Sequence, residues 1–201
     1  EYGRANVNVK SCSGQTPLQT AIENCSIDIV KYLVEQCRAN VNVKEKYGQT
    51  LLHNAANKCD IDIVKYLVEQ CRANVNAQNH KGQTPLHIAT KKCNIDIVKY
   101  LTEQRHAYVN IKDKYGQTPL HIAAEKCNID IVKCFIKQYN TDVNAKDSER
   151  RTPLYIATGK CNIDIVKCLV EQRNANVNIC DKYGNAPLHV AIRKRNINIV
   201  K

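Results

Sequence analysis

Residues 118–144 read TPLHIAAEKCNIDIVKCFIKQYNTDVN, and close copies of this stretch recur along the 201-residue chain. The copies begin 34 residues apart, at Thr16, Thr50, Thr84, Thr118 and Thr152, and Ala186 continues the series. A fixed period of this length indicates stacked helical units rather than one globular core. The composition agrees, because the chain has no Met, no Trp and one Phe, too few large apolar side chains for a single compact core.

The pattern predicts that each copy holds two helices joined by a short connection. Thr118 is a suitable N-cap, and Pro119 suits the first helical position because its missing N–H would have no partner there. Asn128 opens the second helix. The apolar positions of the two helices are Leu120, Ala123, Ala124, Ile129, Ile131, Val132, Phe135 and Ile136. Residues 142–144 are expected to leave the second helix in an extended conformation.

The segments GQTPLHIA (82–89), IDIVK (95–99) and ANVN (73–76) resemble the ankyrin repeat, and the resemblance covers essentially the whole chain. It implies an all-α fold class, an ankyrin-repeat solenoid of helix-turn-helix units with extended β-hairpin-like turns. The implied repeats are the end of a preceding repeat (1–15), five full repeats (16–49, 50–83, 84–117, 118–151 and 152–185) and a truncated repeat (186–201). The chain is expected to be part of a longer protein, because no capping repeat is recognisable.

Two features depart from the family pattern. The family period is one residue shorter, and we expect the extra residue just after the second helix, around Cys37 and Arg38. The family also prefers glycine after the first helix and in the turn, where Arg150 stands in one repeat. Cysteine takes the helix-end position in five repeats, at Cys25, Cys59, Cys93, Cys127 and Cys161. If that position is left-handed, each side chain there costs about 1 kcal/mol.

The eleven cysteines mostly repeat with the period, which argues against disulfides and metal sites. Equivalent positions in stacked helices lie roughly 8–10 Å apart, whereas a disulfide needs Cα atoms about 4.4–6.8 Å apart. No C-x-x-C motif occurs, so structural zinc is not expected. The pattern predicts reduced thiols and an intracellular location, cytoplasmic with the nucleus as an alternative.

Four histidines, His53, His87, His121 and His189, share one position of the repeat. We interpret each as a hydrogen-bond partner of the threonine in its own Thr-x-x-His turn and of the backbone of the preceding repeat, as the resemblance implies, rather than as a metal ligand or proton relay. Glycine-rich phosphate loops, nucleophile elbows and His-Glu-x-x-His motifs are missing from the sequence. No enzymatic activity, cofactor or metal is therefore expected.

The charge balance is basic, with 30 Lys and Arg against 19 Asp and Glu, a net charge of +11. In ankyrin proteins the turns and the ends of the first helices line the concave face that holds a partner, so the resemblance implies a basic concave face. The predicted partner-binding residues are Tyr47, Lys81, Lys91, Lys92, Lys114, Tyr115, Arg150 and Arg151. Tyrosine and arginine are favoured anchors of interfaces. The alternative is that these polar turn tips only keep the protein soluble.

These residues predict a non-enzymatic protein–protein interaction scaffold whose partner offers an acidic segment. One alternative is a structural spacer or spring within a larger protein, which the identical residues 27–42 and 61–76 favour. The other is nucleic-acid binding, which is disfavoured because recognition-helix, zinc-finger and RNA-stacking signatures are missing. Membrane insertion is not expected, since no apolar stretch approaches the roughly 20 residues of a span. The oligomeric state stays open.

Asn144 follows Asp142 and Val143 in a context that resembles the site of asparaginyl hydroxylation in the ankyrin family. We predict Asn144 as a candidate for this modification. The alternative is a structural role in which the side chain holds the turn.

Overall fold

The structure is a computed structural model in which residues 5–45, 47–137 and 140–201 are described. Lys46 and the first four residues of the predicted partial repeat 1–15 lie outside this part. The first helix of each pair is α1 Pro17–Glu23, α3 Leu51–Lys58, α5 Pro85–Lys91, α7 Pro119–Glu125, α9 Pro153–Gly159 or α11 Pro187–Arg193. The second is α2 Ile27–Glu35, α4 Ile61–Glu69, α6 Ile95–Lys99, α8 Ile129–Lys137, α10 Ile163–Arg173 or α12 Ile197–Val200. A π-helical turn, Tyr100–Gln104, continues α6.

The residues that start the helices act as the sequence predicts. Thr118 has an extended backbone conformation immediately before α7, and Pro119 takes the first helical position. The side chain of Asn128 accepts a hydrogen bond from the Ile131 N–H at 3.0 Å, so that Asn128 caps α8. Each cap satisfies a backbone N–H that has no partner within its own helix.

The chain divides into two compact units, an N-terminal unit (residues 1–88) and a C-terminal unit (89–201). In the N-terminal unit α1 packs against α2 and α3, and α3 packs against α4. Leu18, Ile22 and Leu67 are among the fully buried side chains of this unit. In the C-terminal unit α7 packs against α8 and α9, and α9 packs against α10 and α11. Phe135 is fully buried there.

The segment after each second helix differs from the prediction of an extended exit. Val143 and Asn144 form a turn, closed by a hydrogen bond from the Ala145 N–H to the Asp142 carbonyl at 3.3 Å. The β-hairpin-like character is limited, within the described residues, to one isolated antiparallel bridge between Lys44 and Thr50. Short Asn and Asp side chains bind the backbone two residues on, which favours turns over strands here.

The extra residue of the 34-residue period is absorbed where the second helix ends. The Cys37 N–H donates to the Tyr32 carbonyl five residues back at 3.2 Å, which is a π-type turn. Arg38 follows with a φ of 54°, and the Ala39 N–H donates to the Leu33 carbonyl at 2.9 Å. This geometry closes the helix with a left-handed residue.

Cysteine at the end of the first helix is left-handed, which meets the condition on which we expected strain there. The φ values are 54°, 64°, 58°, 58° and 59° at Cys25, Cys59, Cys93, Cys127 and Cys161. Arg150 has a φ of 61° at the turn position that Gly116 occupies in the preceding repeat with a φ of 72°. All of these side chains bear the strain that glycine would avoid.

Candidate interaction surface

Each turn that precedes a first helix in the C-terminal unit is organised by a buried aspartate. The Oδ1 atom of Asp113 accepts hydrogen bonds from the N–H groups of Tyr115 (2.9 Å) and Gln117 (3.0 Å). Asp147 and Asp181 bind their own turns in the same way. All three residues are at most 6% exposed. The turn carboxylates of these aspartates are therefore buried, whereas Lys114 beside Asp113 is exposed. Lys182 beside Asp181 is exposed too, and it pairs with the half-buried Glu149 at 2.6 Å.

The second carboxylate oxygen differs among these turns, and that of Asp113 is buried without a hydrogen-bond partner among the described residues. Asp147 Oδ2 pairs with the Arg151 guanidinium at 2.8 Å. Asp181 Oδ2 accepts a hydrogen bond from the Tyr155 hydroxyl at 2.7 Å. Burial opposes ionisation of Asp181, but the hydrogen bonds from Tyr155 and from its turn lower its pKa to about 2.

Six of the eight predicted partner-binding residues are exposed on turns or at the ends of helices. In the N-terminal unit, Tyr47 is 63% exposed, and Lys81 is exposed on the next turn. In the C-terminal unit, Lys91 is exposed at the end of α5 and Lys92 is exposed just after it. Lys114 and Tyr115 form an exposed turn tip.

The two predicted arginines differ from each other. Arg150 is exposed on its left-handed turn. Arg151 is half-buried, and its Nε and Nη2 atoms both bind Asp147, at 2.9 and 2.8 Å. Arg151 therefore holds the turn together, and its charge is largely compensated before any partner arrives.

Two neighbouring cavities lie between the turns and the first helices of the C-terminal unit. The larger, about 450 Å³, is lined by residues that include Glu125, Arg151, Tyr155, Gly159, Lys160 and Lys194. The smaller, about 270 Å³, is lined by residues that include Glu149, Arg151, Tyr155, Asp181, Tyr183 and Arg193. Arg151 and Tyr155 line both, so the two cavities form adjacent sites on one surface.

Our site prediction missed Tyr155, Lys160 and Lys194. The signal that could have found the lysines is their period, since lysine stands at one position of five repeats: Lys58, Lys92, Lys126, Lys160 and Lys194. All five are exposed at the end of a first helix. A cation there also interacts favourably with the helix dipole, so the ladder serves local stability as well. Tyr155 had no such signal, because it replaces the histidine of the other repeats.

Each buried histidine forms hydrogen bonds both at the start of its own helix and to the turn before the following first helix. His121 is fully buried, and its Nδ1 atom accepts hydrogen bonds from the Thr118 N–H (3.1 Å) and the Thr118 hydroxyl (2.8 Å). Because Nδ1 accepts, the proton of the neutral ring lies on Nε2, which donates to the Arg151 carbonyl at 3.0 Å. His53 makes the same contacts with Thr50 and with the Gln83 carbonyl.

This geometry confirms the threonine partner and corrects the backbone partner. We expected the carbonyl to come from the preceding repeat, which is wrong. Gln83 lies 30 residues after His53, in the turn that leads to the following first helix. The histidine therefore ties its own helix to the turn that comes next along the chain.

Burial lowers the pKa of both His53 and His121, although hydrogen bonds to the Gln83 and Arg151 carbonyls partly oppose this. A proton on Nδ1 would also face the Thr N–H donor and break that contact. Both imidazoles are therefore held neutral in the folded chain.

We expect acid to destabilise the fold through these two histidines. The unfolded histidines take up protons near their ordinary pKa of 6.5, whereas the folded ones do so only at lower pH. Stability is therefore complete above pH 6.5 and falls as the pH drops from there to the lowered pKa, by at most about 1.4 kcal/mol per pH unit for each histidine. Urea denaturation between pH 5 and 8 measures the slope. The H53Q/H121Q variant should flatten it, and an unchanged slope would contradict this assignment.

Asn144 has a structural contact in the turn after α8. Its Oδ1 atom accepts a hydrogen bond from the Asn176 N–H of the following repeat at 2.8 Å, and its own N–H donates to Asp142 Oδ1 at 3.0 Å. Asn110 binds the Asp142 N–H in the same way at 2.9 Å. The Asn144 side chain therefore links two successive turns, as the structural alternative requires, and hydroxylation of Asn144 stays a prediction.

None of the cysteines among the described residues forms a disulfide; Cys134 and Cys168 are buried, and the five left-handed cysteines are exposed. No group of three or more His, Cys, Asp or Glu side chains in the described part of the chain is arranged to hold a metal ion. In the same part, every helix is too short or too polar to cross a bilayer.

Comparison with known families gives one result. The family model for ankyrin repeats (three copies) matches residues 2–79, 70–147 and 126–201. The chain therefore belongs to the ankyrin repeat family, and its fold class is the all-α ankyrin-repeat solenoid, as the sequence predicted. Ankyrin repeats generally mediate protein–protein interaction, and proteins built from them are typically non-enzymatic scaffolds. No curated protein matches the chain.

Proposed function

We propose that this repeat array is an intracellular, non-enzymatic scaffold that presents a basic concave face to an acidic segment of a protein partner. The proposed contacts are Lys81 and Tyr47 in the N-terminal unit, with Lys91, Lys92, Lys114, Tyr115 and Arg150 in the C-terminal unit. Arg151 contributes to this face indirectly, because its contacts with Asp147 stabilise the turn that carries Arg150. The observation that carries the proposal is the division of charge within the turns.

That division follows from hydrogen bonding. Asp113, Asp147 and Asp181 are buried and bind backbone N–H groups, whereas Lys114 beside Asp113 is exposed. Lys182 beside Asp181 is also exposed but forms an ion pair with Glu149 at 2.6 Å. An approaching chain thus meets ammonium groups on the turns and at the helix ends. Such a surface favours an acidic partner and speeds its association at low salt.

A charge reversal confined to this face tests the proposal. We expect the K81E/K91E/K92E/K114E variant to bind a fluorescent acetyl-hexaglutamate amide about tenfold more weakly than the native chain at low salt, because four cations that attract the peptide become anions. Fluorescence anisotropy measures the Kd, and the native affinity should fall steeply as salt is added. Circular dichroism establishes that each variant is folded.

The matched control carries the same change of net charge elsewhere. In the K31E/K65E/K99E/K133E variant, four exposed lysines of the second helices become glutamate. We expect its Kd to stay within about twofold of the native value. Equal losses of peptide affinity in the two variants would show that net charge alone controls binding, and would contradict the proposal of a defined basic face. Stronger binding to a DNA duplex than to the peptide would favour the nucleic-acid alternative.

A further inference from the structure

The larger of the two neighbouring cavities lies where one helix residue has no side chain. Gly159 is the last residue of α9 and does not have a positive φ. A Cβ atom added to it would meet only Val190 Cγ1, at an ordinary 3.8 Å. Neither the backbone nor the packing requires glycine at this position, and glycine weakens a helix relative to alanine.

Every other repeat has a side chain at this position. The equivalent residues are Glu23, Asn57, Lys91, Glu125 and Arg193. Gly159 therefore leaves a gap where its neighbours present long polar groups, and the cavity of about 450 Å³ opens over it. Its lining combines the Ile156 and Tyr155 side chains with the charged Lys160, Lys194 and Glu125.

The charges around the gap define what it can hold. Lys160, Lys194 and Glu125 are all exposed, and together they carry a net charge of +1. Arg151 adds little net charge, because its guanidinium is paired with Asp147 through Nε and Nη2. A single carboxylate balances this set. A phosphate dianion carries one more negative charge than this set balances, and Glu125 would repel it.

We propose that the gap at Gly159 is a subsite for one glutamate or aspartate side chain of an acidic partner segment. The carboxylate binds between the ammonium groups of Lys160 and Lys194, and the methylene groups of the side chain cover Gly159 and Ile156. This inference rests on the proposed function, and it makes Gly159 a residue that determines specificity. Glycine is then retained at a cost in helix stability because a side chain would fill the subsite.

The test fills the gap without changing the charge. Acetyl-hexaglutamate amide is titrated into the ¹⁵N-labelled 201-residue chain, and the Kd is taken from the amide resonances of Lys160 and Lys194. We expect G159Q to raise this Kd about fivefold, because the glutamine side chain occupies the cavity. The control N57Q, which lengthens an exposed side chain at the same position of another repeat, should leave it within twofold.

A second variant separates binding from stability. G159A adds one methyl group that the structure accommodates, so we expect an unchanged Kd and a melting temperature higher by about 2 °C. A native Kd in G159Q, with the weaker binding of K81E/K91E/K92E/K114E retained, would overturn the subsite and leave the basic face standing. If the native chain failed to bind the peptide, both proposals would fall. Tighter, Gly159-dependent binding of a phosphoserine hexapeptide would overturn the carboxylate assignment.

Discussion

Replacing the five left-handed cysteines with glycine should raise the free energy of unfolding by about 5 kcal/mol. Cys25, Cys59, Cys93, Cys127 and Cys161 all have φ between 54° and 64°, and all five are exposed. Each substitution relieves a clash between Cβ and the backbone that costs about 1–2 kcal/mol in this region. Part of this stabilisation is offset because glycine has more conformational entropy in the unfolded chain. A net gain of about 1 kcal/mol per site remains. The sites lie in different repeats, so their contributions should nearly add.

Urea denaturation of the native chain and of the fivefold glycine variant, both in reducing buffer, measures this gain. The control is the matching fivefold alanine variant, which also removes the thiols but keeps Cβ. Alanine should change stability by less than about 1 kcal/mol in total, because the strain persists. Equal stabilisation by alanine would show that thiol chemistry, rather than backbone strain, limits the native chain.

The strain at these cysteines was a conditional prediction, because the resemblance to the ankyrin repeat places them where the family prefers glycine. The repeat period places the helix caps at Thr118 and Asn128 and the buried stripe that includes Phe135. Such features depend on contacts within one repeat or between identical neighbours, so the sequence of a single repeat is enough to predict them. The left-handed φ of Arg150 was also foreseeable, because Gly116 and Gly184 occupy the same position.

The candidate site was less predictable, because it depends on differences between repeats. The ion pair of Arg151 with Asp147 and the hydrogen bond of Tyr155 to Asp181 each occur in one turn only among the turns of the C-terminal unit described above. Whether an arginine faces a partner or a buried carboxylate depends on the side-chain conformation, which the repeat pattern does not specify. The gap at Gly159 was visible in the sequence as a missing side chain, but its consequence is visible only in the packing of α9 against α11.

Removing one buried histidine should have the largest destabilising effect of any single substitution proposed for this chain. We expect H121A to lower the free energy of unfolding by about 3–4 kcal/mol. The substitution leaves a cavity at a fully buried position and removes the partner of the Thr118 N–H. It also removes one of two donors to the Arg151 carbonyl, which still accepts from the Asp147 N–H at 3.0 Å. An unsatisfied buried backbone group costs about 1–3 kcal/mol, and the lost packing adds to this. The turn that carries Arg151 should also loosen, since His121 ties that turn to α7.

The chain provides its own control in His189, which has the same place in the last repeat. His189 is exposed, and Ala186 in the threonine position has no hydroxyl, so the described contact of the ring is the Ala186 N–H at 3.1 Å. H189A should therefore cost less than about 1 kcal/mol in the same urea denaturation. Equal losses in H121A and H189A would mean that helix capping alone, and not the tie between α7 and the next turn, accounts for the histidine. A large loss in H121A alone, with faster amide exchange at the Arg151 turn, would support the role of the buried histidine in tying α7 to the next turn. That contact is not among those described for His189, which also lacks the burial and the threonine hydroxyl of the His121 position.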